Sequence, residues 1–362
     1  MSILLILSAG LYLAFLLYFI TGLFRHNDPS ITPSVDLSFV SVVIAARNEE
    51  KNLPDLIHDL VNQEYPMNKL EIIFVNDRSS DATGGILTEA AENYAFIKHI
   101  RIDERSSELS PKKHALTLGI EAAQGDIIVS TDADCRVPKF WVSSMVYSVV
   151  QNGGITVGYS SVKGDSFFDQ YQRMDFLGII TANAGVAGWG SYWSGTGQNL
   201  AYKKFDFESI GGFEPVKDKI SGDDMYLVQA ISNMQSGALN IDPNSFVYTQ
   251  PVETIKQFVN QRIRWSSNSR TSLNQRPLFF LFILSAFFTN TFILISVILG
   301  IPSWGFPLLM KFIFEGGVIY FGGRLFETPV NPFVYFAWAL AQPLYIPVVG
   351  LMGTLNRFTW KS

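Results

Sequence analysis

Cysteine and charge are both scarce in this chain of 362 residues. The single cysteine, Cys135, excludes an internal disulfide, which agrees with a reducing compartment. Only 16% of the residues are charged and the net charge is −5, so nothing indicates a nucleic-acid partner. The four histidines lack the spacing of metal ligands. These absences argue against a disulfide scaffold, a histidine metal site and a nucleic-acid-binding protein.

The glycine-rich phosphate loops of common nucleotide-binding proteins are missing as well. The sequence contains no GxxxxGK[ST], and its first predicted strand is not followed by GxGxxG. The segment Gly195-Thr-Gly197 lacks a third glycine and comes too late in the chain. A dehydrogenase or a P-loop ATPase is therefore a weak interpretation. A diphosphate would instead need a metal ion and basic side chains, for which Lys112 and Lys113 are suitably placed; alternatively, they form a solvated helix start.

Apolar residues are abundant, at 48% of the chain, and they gather in long uncharged stretches. Ser2 to Phe24 carries no charge and could cross a bilayer core of roughly 30 Å. Without a basic region before it, we expect an uncleaved signal anchor. Hydropathy predicts two or three further spans near 278–301, 304–323 and 333–355. The middle one contains Lys311 and Glu315, which could pair on a helix.

The expected organisation is therefore a soluble domain between membrane segments. It comprises an anchor over 1–24, a soluble domain over 25–276 and a membrane domain over 277–362. Basic residues flank the spans on the soluble domain's side, with Arg25 after the first and Arg264 and Arg276 before the second. The positive-inside rule then places the soluble domain in the cytoplasm of a multi-pass membrane protein.

Strands and helices alternate through the first part of this domain. Strands are predicted at 39–46, 71–75, 97–102 and 126–130, and helices at 52–63, 82–94 and 112–123. This alternation predicts a doubly wound, mostly parallel α/β sheet. Right-handed crossovers would bring the strand-end loops to one edge of the sheet. A rim of five residues is expected there: Arg47, Asn48, Asp77, Asp132 and Asp134.

Two carboxylates, Asp132 and Asp134, follow the strand at 126–130. Ligands of open α/β sheets bind beyond the carboxyl ends of the strands. Paired carboxylates suit a Mg²⁺ or Mn²⁺ ion that also holds phosphate oxygens. Alone, however, an Asp-x-Asp is more often a strand-end loop that caps the next helix.

Two later clusters also allow two interpretations. Asp223 and Asp224 begin a predicted helix, either as dipole-favoured caps or as a carboxylate pair in which one pKa is raised toward that of a general base. Gln261, Arg264 and Trp265 share one helix face, which suits recognition of phosphate and a stacking group. Alternatively, this segment is only the basic flank of a membrane span that the positive-inside rule predicts.

Taken together, these motifs resemble the membrane-bound inverting glycosyltransferases of family 2. The resemblance covers about residues 38 to 270 and rests on motifs in the family's order: Ala45-Ala46-Arg47-Asn48-Glu49, Val75-Asn76-Asp77-Arg78-Ser79, Lys112, Asp132-Ala-Asp134, Asp223-Asp224 and Gln261-Arg-Ile-Arg264-Trp265. This family includes ceramide glucosyltransferases and the cellulose and hyaluronan synthases. The resemblance implies a GT-A fold, a nucleotide-sugar donor, a divalent metal (Mg²⁺ or Mn²⁺) and a membrane acceptor.

The resemblance also implies a role for each matching position. Asp224 corresponds to the catalytic base. The donor would be bound by Arg47, Glu49, Asp77, Lys112, Asp132 and Asp134, with Asp132 and Asp134 also holding the metal. Asp223, Gln261, Arg264 and Trp265 would serve the diphosphate and the acceptor. Lys113 is close enough to compete with Lys112 for its role, and Asn76 stands where the family often has an aspartate.

The expected reaction is transfer of one sugar, from a UDP-sugar in the first instance, to a membrane lipid or polyprenol carrier. The small membrane part is more like that of ceramide glucosyltransferases than of polymer synthases. A processive polysaccharide synthase stays open because QxxRW also marks the processive members. A non-catalytic, nucleotide-sensing membrane protein is the alternative from another class.

Overall fold

The structure, a computed structural model, describes residues 1–26, 38–268 and 276–358 of the chain. Its helices and strands, in chain order, are α1 Ser2–Leu23, β1 Val40–Ala46, α2 Leu53–Val61, β2 Leu70–Asp77, α3 Thr83–Asn93, β3 Ile97–Ile102, α4 Pro111–Ala122, β4 Ile127–Ser130, β5 Cys135–Arg136, α5 Trp141–Asn152, β6 Ile155–Gly158, β7 Ser160–Val162, α6 Phe167–Ala187, β8 Leu200–Lys203, α7 Lys204–Ser209, α8 Asp223–Met234, β9 Gly237–Asn240, β10 Val247–Thr249, α9 Ile255–Ser267, α10 Pro277–Ile298, α11 Gly305–Leu325 and α12 Pro332–Thr354.

Contacts divide the chain into two units, neither of which is continuous in sequence. The sheet unit consists of Asn27–Ser161 and Ser194–Gln250. The helical unit consists of Met1–His26, Val162–Trp193 and Pro251–Ser362. Helices α6 and α9 belong to the helical unit because they pack with the long apolar helices. The three-part division expected from the sequence, with boundaries at residues 24 and 276, stays a prediction.

Within the described part of the sheet unit, the main sheet has seven strands in the order β3-β2-β1-β4-β8-β6-β9. Strands β3, β2, β1 and β4 run parallel, β8 is antiparallel to both its neighbours, and β6 is parallel to β9. The prediction of a mostly parallel α/β sheet is confirmed. A second sheet has three strands in the order β5-β10-β7.

The strand order places a topological switch beside β1. From β1 the chain moves outward to β2 and β3, and it then returns to add β4 on the other side of β1. In such sheets the crevice for a ligand opens beyond the carboxyl ends of the two strands at the switch. Helix α4, which leads into β4, packs closely on this part of the sheet. A Cβ atom on Gly119 would lie 2.5 Å from Val43 Cγ1, so only glycine fits there.

Among the residues that the structure describes, the helical unit contains four helices that are long and apolar enough to cross a membrane. They are Ser2–Leu23, Pro277–Ile298, Pro302–Leu325 and Pro332–Thr354. All three carboxyl-terminal candidates are therefore helical, including the one with charged residues. Lys311 Nζ lies 2.8 Å from Glu315 Oε2, and Tyr12 donates to Glu315 Oε1 at 2.6 Å, so this buried carboxylate is fully partnered. Such helices are typical of an integral membrane protein.

Candidate active site

The first part of the candidate site lies where β1 and β2 end. Arg47 follows β1, and its Nη1 lies 3.7 Å from Asp77 Oδ2 at the end of β2. Arg78 Nη2 lies 2.7 Å from the other oxygen of Asp77. Two guanidinium groups therefore contact one largely buried carboxylate and fix its orientation.

The two loops behind Asp77 are tied to each other by hydrogen bonds. The Asn48 N–H donates to Ser79 Oγ at 3.0 Å, and Asn48 Oδ1 accepts from the Ser80 N–H at 2.8 Å. Asn48 and Arg78 both have φ of +54°, a left-handed conformation that non-glycine residues seldom adopt. Asn76, at the position where an aspartate is more usual, accepts from the Ser79 N–H at 3.1 Å. The amide at 76 therefore shapes the loop that presents Asp77.

The adjacent lysines at the start of α4 have separate environments. Lys112 Nζ donates to Asp132 Oδ1 at 2.6 Å. Burial alone would lower the pKa of Lys112, but the charges of Asp132, Asp223 and Asp224 outweigh it and raise that pKa. Lys113 is fully buried and donates to the carbonyl oxygens of Val216 and Lys219, at 2.7 and 2.5 Å. Burial lowers the pKa of Lys113. Only Lys112 therefore faces the acidic cluster.

Asp132 and Asp134 do not cap a helix. The chain enters β5 after them, and the next helix, α5, begins at Trp141 with Phe140 at its cap position. Burial, followed by the charges of Asp132 and Glu49, raises the pKa of Asp134 to about 6. The Cys135 thiol donates to Asp134 Oδ1 at 3.6 Å. A carboxylate in this position is destabilised by its neighbours, and a cation would relieve that repulsion.

Asp223 and Asp224 form the first turn of α8, as the sequence predicts, after Gly222 in a left-handed conformation. Asp224 also reaches beyond its own helix, because its Oδ2 accepts from the Gly197 N–H at 3.2 Å. Burial, followed by the charge of Asp223, raises the pKa of Asp224 to about 6, against the opposing charge of Lys112. The geometry thus includes a carboxylate with the pKa of a general base that works near neutral pH.

The segment that joins these groups is not among the predicted site residues. Gly195-Thr-Gly197 lacks the third glycine of a phosphate loop, yet a Cβ on Gly197 would lie 3.2 Å from Lys112 Nζ. Close behind, the buried Asn199 accepts from Trp141 Nε1 at 2.9 Å and donates to the carbonyls of Tyr159 and Ser245. The paired glycines were the only sequence signal, since the contacts of Asn199 are with residues far away in the chain.

Gln261, Arg264 and Trp265 lie on α9, which belongs to the helical unit. The other predicted site residues all lie in the sheet unit: Arg47, Glu49, Asp77, Lys112, Asp132, Asp134, Asp223 and Asp224. Among them, Lys112 forms an ion pair with Asp132 and interacts electrostatically with three further carboxylates, at positions 134, 223 and 224. The structure therefore brings together the predicted groups of the sheet unit as two neighbouring clusters, around Asp77 and around Lys112.

The metal prediction can be tested on the donor atoms present. Within the described ranges, no three His, Cys, Asp or Glu side chains are gathered so that they could enclose an ion by themselves. Asp132 and Asp134 nevertheless offer hard carboxylate oxygens in a site with excess negative charge. Mg²⁺ is usually bound by one or two carboxylates and completed by substrate phosphates, so this donor set fits a metal–diphosphate complex.

The sheet topology and the acidic cluster at its switch point define the class as an α/β domain of GT-A type. Residues 41–211 match the family model described as glycosyl transferase family 2. The chain is 30% identical over 269 residues to the "Probable glycosyltransferase YdaM" of Bacillus subtilis, covering 70% of this chain and 62% of that protein. It is 39% identical over 127 residues to the "Beta-monoglucosyldiacylglycerol synthase" of Trichormus variabilis, covering 35% of this chain and 25% of that protein.

A solved structure has the same fold over nearly the whole chain. The mannosyltransferase PcManGT from Pyrobaculum calidifontis, described as a complex with GDP-Man and Mn²⁺, aligns with a TM-score of 0.63 at 20% identity and covers 98% of both chains. The match over residues 41–211 and the shared GT-A fold thus confirm the expected resemblance to family 2 glycosyltransferases. The match to this chain spans about three fifths of the length of the Bacillus subtilis relative and one quarter of that of the Trichormus variabilis relative.

Proposed function

We propose that this protein is a membrane glycosyltransferase that moves one sugar from a nucleotide-sugar donor to a membrane lipid or polyprenol acceptor. The main support is the cluster around Lys112, which combines a cation for the diphosphate, a carboxylate pair for a metal and a separate carboxylate of raised pKa. A domain that only sensed nucleotides would not need the last of these groups.

The donor would lie along the carboxyl edge of β1, β2 and β4. Asp77, held by Arg47 and Arg78, offers carboxylate oxygens that can accept from the imide N–H of a uracil-type base. Arg47 and Glu49 would line the nucleoside. Lys112 would contact the diphosphate, and Asp132 and Asp134 would hold the divalent metal. When bound there, the metal would neutralise phosphate charge and stabilise the leaving diphosphate.

Asp224 is the proposed base of a single displacement with inversion. It would take the proton of an acceptor hydroxyl, whose oxygen attacks the anomeric carbon from the face opposite the diphosphate. Asp223 would keep the pKa of Asp224 raised, so that proton transfer is effective near neutral pH. Lys112 would oppose the charge that develops on the leaving oxygen. Gln261, Arg264 and Trp265 would contribute contacts to the diphosphate and the acceptor.

A lipid acceptor is favoured by two observations. The four long apolar helices make up much of the helical unit, and one relative is named a beta-monoglucosyldiacylglycerol synthase. A processive polysaccharide synthase is the second candidate, because the Gln261–Trp265 motif is shared with processive members of the family. We also propose that the sheet unit faces the cytoplasm, where nucleotide sugars are made.

The decisive experiment incubates the purified full-length protein, in lipid vesicles with Mg²⁺ or Mn²⁺, with a panel of nucleotide sugars. Products are extracted and sized. A single sugar on a lipid is the expected product. A ladder of long products would instead support the polymer synthase, and failure to transfer or hydrolyse any donor would support the non-catalytic alternative.

A further inference from the structure

Arg262 lies inside the Gln261–Trp265 motif but is not one of its three predicted functional residues. Its side chain is buried, with 5% exposure, whereas Gln261 and Trp265 are only partly buried. The guanidinium contacts an acid, an amide and two aromatic rings. A buried arginine needs such partners because an uncompensated charge is costly away from water. Two of these contacts are with Gln261 and Trp265, the neighbours of Arg262 in the motif.

The acid is Asp175 of α6. Arg262 Nε donates to Asp175 Oδ2 at 2.6 Å, and Trp338 Nε1 of α12 donates to the other oxygen at 3.0 Å. Both partners of this ion pair are about 95% buried. The carboxylate is thus held from two sides, and it fixes the guanidinium relative to α6 and α12.

Arg262 also contacts the motif itself. Its Nη1 donates to Gln261 Oε1 at 2.6 Å. Its guanidinium carbon also lies 4.1 Å from the centre of the Trp265 ring and 4.5 Å from that of Phe258. Because the amide oxygen of Gln261 is engaged, its N–H groups are the part left to donate to a ligand oxygen. Because the guanidinium covers one face of the indole, the ring has a defined orientation.

We propose that Arg262 is a positioning residue that orients Gln261 and Trp265 for the reaction, with Asp175 as its anchor. This inference rests on the proposed role of the motif in binding the diphosphate and the acceptor. Lysine could not replace this arginine, because a single ammonium cannot bond the acid, bond the amide and stack on the ring at once. A purely structural arginine would need the acid but not both motif side chains.

The test is a double-mutant cycle on the full-length protein in lipid, read as UDP affinity by calorimetry and as kcat and KM for the active donor. Arg262→Lys keeps a positive charge for Asp175 but removes the planar guanidinium group with its several N–H donors. We expect UDP affinity to fall about tenfold, within the range of coupling in one contact network. In a Gln261→Ala/Trp265→Ala background, the same change should cost less than about twofold, because the groups it positions are gone.

Arg25→Gln is the matched control. Arg25 also lies over a tryptophan, 4.2 Å from the centre of the Trp189 ring, and belongs to the same unit but not to the motif. It should leave UDP affinity unchanged. Asp175→Asn is the second variant, since it removes the anchor without altering the motif, and its loss should likewise disappear in the double-alanine background.

Two results would overturn the inference: wild-type UDP affinity in Arg262→Lys, or an equal loss in both backgrounds, which would mean a role independent of the motif. Failure of the proposed function has a different signature. In that case Gln261→Ala and Trp265→Ala alone would leave UDP affinity and turnover at wild-type values. Arg262 would then have no functional side chains to orient, whatever its own variants show.

Discussion

Asp224 and Asp134 are two carboxylates of similar pKa with different neighbours. Asp224 accepts hydrogen bonds from the N–H groups of Gly197 and Met225 and lies near Asp223. Asp134 lies among Asp132, Glu49 and the Cys135 thiol. The partner of Asp134 is Asp132, two positions before it on the same strand-end loop, whereas the partner of Asp224 is the adjacent Asp223 on a helix. We therefore propose proton transfer for Asp224 and the metal–diphosphate complex for Asp134.

The Asp224→Asn variant separates proton transfer from binding. The amide cannot accept the proton of the acceptor hydroxyl, so we expect turnover to fall by about a hundredfold or more. Affinity for UDP, measured by calorimetry, should stay within about twofold of wild type, because the shape of the site is kept. Asp103→Asn, on an exposed ion pair, is the control. Near-normal turnover in Asp224→Asn would contradict its role as the base.

The pH dependence of kcat/KM gives a second measurement of the same group. A base must be deprotonated to act, and burial beside Asp223 raises the pKa of Asp224 to about 6. The rate should therefore be low under acidic conditions, rise through about pH 6 and level off above it. The residual activity of Asp224→Asn should lack this rise. A profile that is flat across this range in the wild type would argue against the assignment.

Asp134→Ala tests the metal–diphosphate complex. Removing one of two carboxylates should weaken UDP binding by about tenfold or more when Mg²⁺ or Mn²⁺ is present, since outer-sphere changes alone reach that size. Binding with a chelator present should hardly change, because the lost interaction passes through the cation. UDP affinity in Mg²⁺ equal to that of wild type would count against this site.

At the scale of elements, helix α4 gives its two adjacent lysines, Lys112 and Lys113, different partners. Successive residues on a helix are turned by about 100°, so their side chains cannot share a partner. Lys112 faces the carboxylates of the site. Lys113 instead holds the 216–219 segment, which leads into α8 and its two aspartates.

Exchanging each lysine for methionine should therefore have separable effects. Lys112→Met should weaken UDP binding, whereas Lys113→Met should lower the free energy of unfolding of the protein by about 1 to 3 kcal/mol, because the carbonyls of Val216 and Lys219 lose their donor. Calorimetry and thermal unfolding of both variants check this. Equal loss of UDP affinity, with no change in unfolding, would show that the two lysines share one role.

The direction of β8 explains where the segment before this strand lies. This strand enters the sheet antiparallel, between β4 and β6, and so carries Gly197 to the end of the sheet where β4 finishes. A parallel arrival would have placed the glycines at the opposite end. The strand direction is thus what brings the Gly197 N–H to Asp224.

At the scale of the whole molecule, the four candidate spans define which loops share a side of the membrane. If each helix crosses, the 299–301 loop and residues 355–358 lie on one side of the membrane, and the 326–331 loop lies on the other. The proposed cytoplasmic orientation of the sheet unit then places Leu299 outside and Glu327 inside. Three carboxyl-terminal spans are slightly against the charge rule, because they put Arg357 outside.

Cysteine labelling in intact cells tests this arrangement. The native Cys135 is buried, so the wild-type chain should not react with a membrane-impermeant maleimide and supplies the background. Leu299→Cys, at an exposed position between two spans, should be labelled in intact cells, and Glu327→Cys should be labelled only after the cells are opened. Labelling in the reverse pattern would place the sheet unit outside the cytoplasm.

The amino-acid sequence by itself determined the strand-and-helix alternation, the acidic strand ends, the apolar helices and the family motifs. These are local properties: side-chain periodicity, turn residues and long uncharged runs depend on neighbours in the chain. The prediction that β1, β2 and β4 end on one rim needed only the handedness of crossovers. The open alternatives at Asp132 and Lys113 could not be decided in this way.

Only the tertiary structure decided which lysine faces the acids, that β8 returns antiparallel, and that α6 and α9 pack with the long apolar helices. It also revealed Asn199 and Arg262, whose partners lie far away in sequence. Periodicity predicts which face of an element is buried but not what it is buried against. Contacts such as Arg262 with Asp175, 87 positions apart, form only when the helices pack.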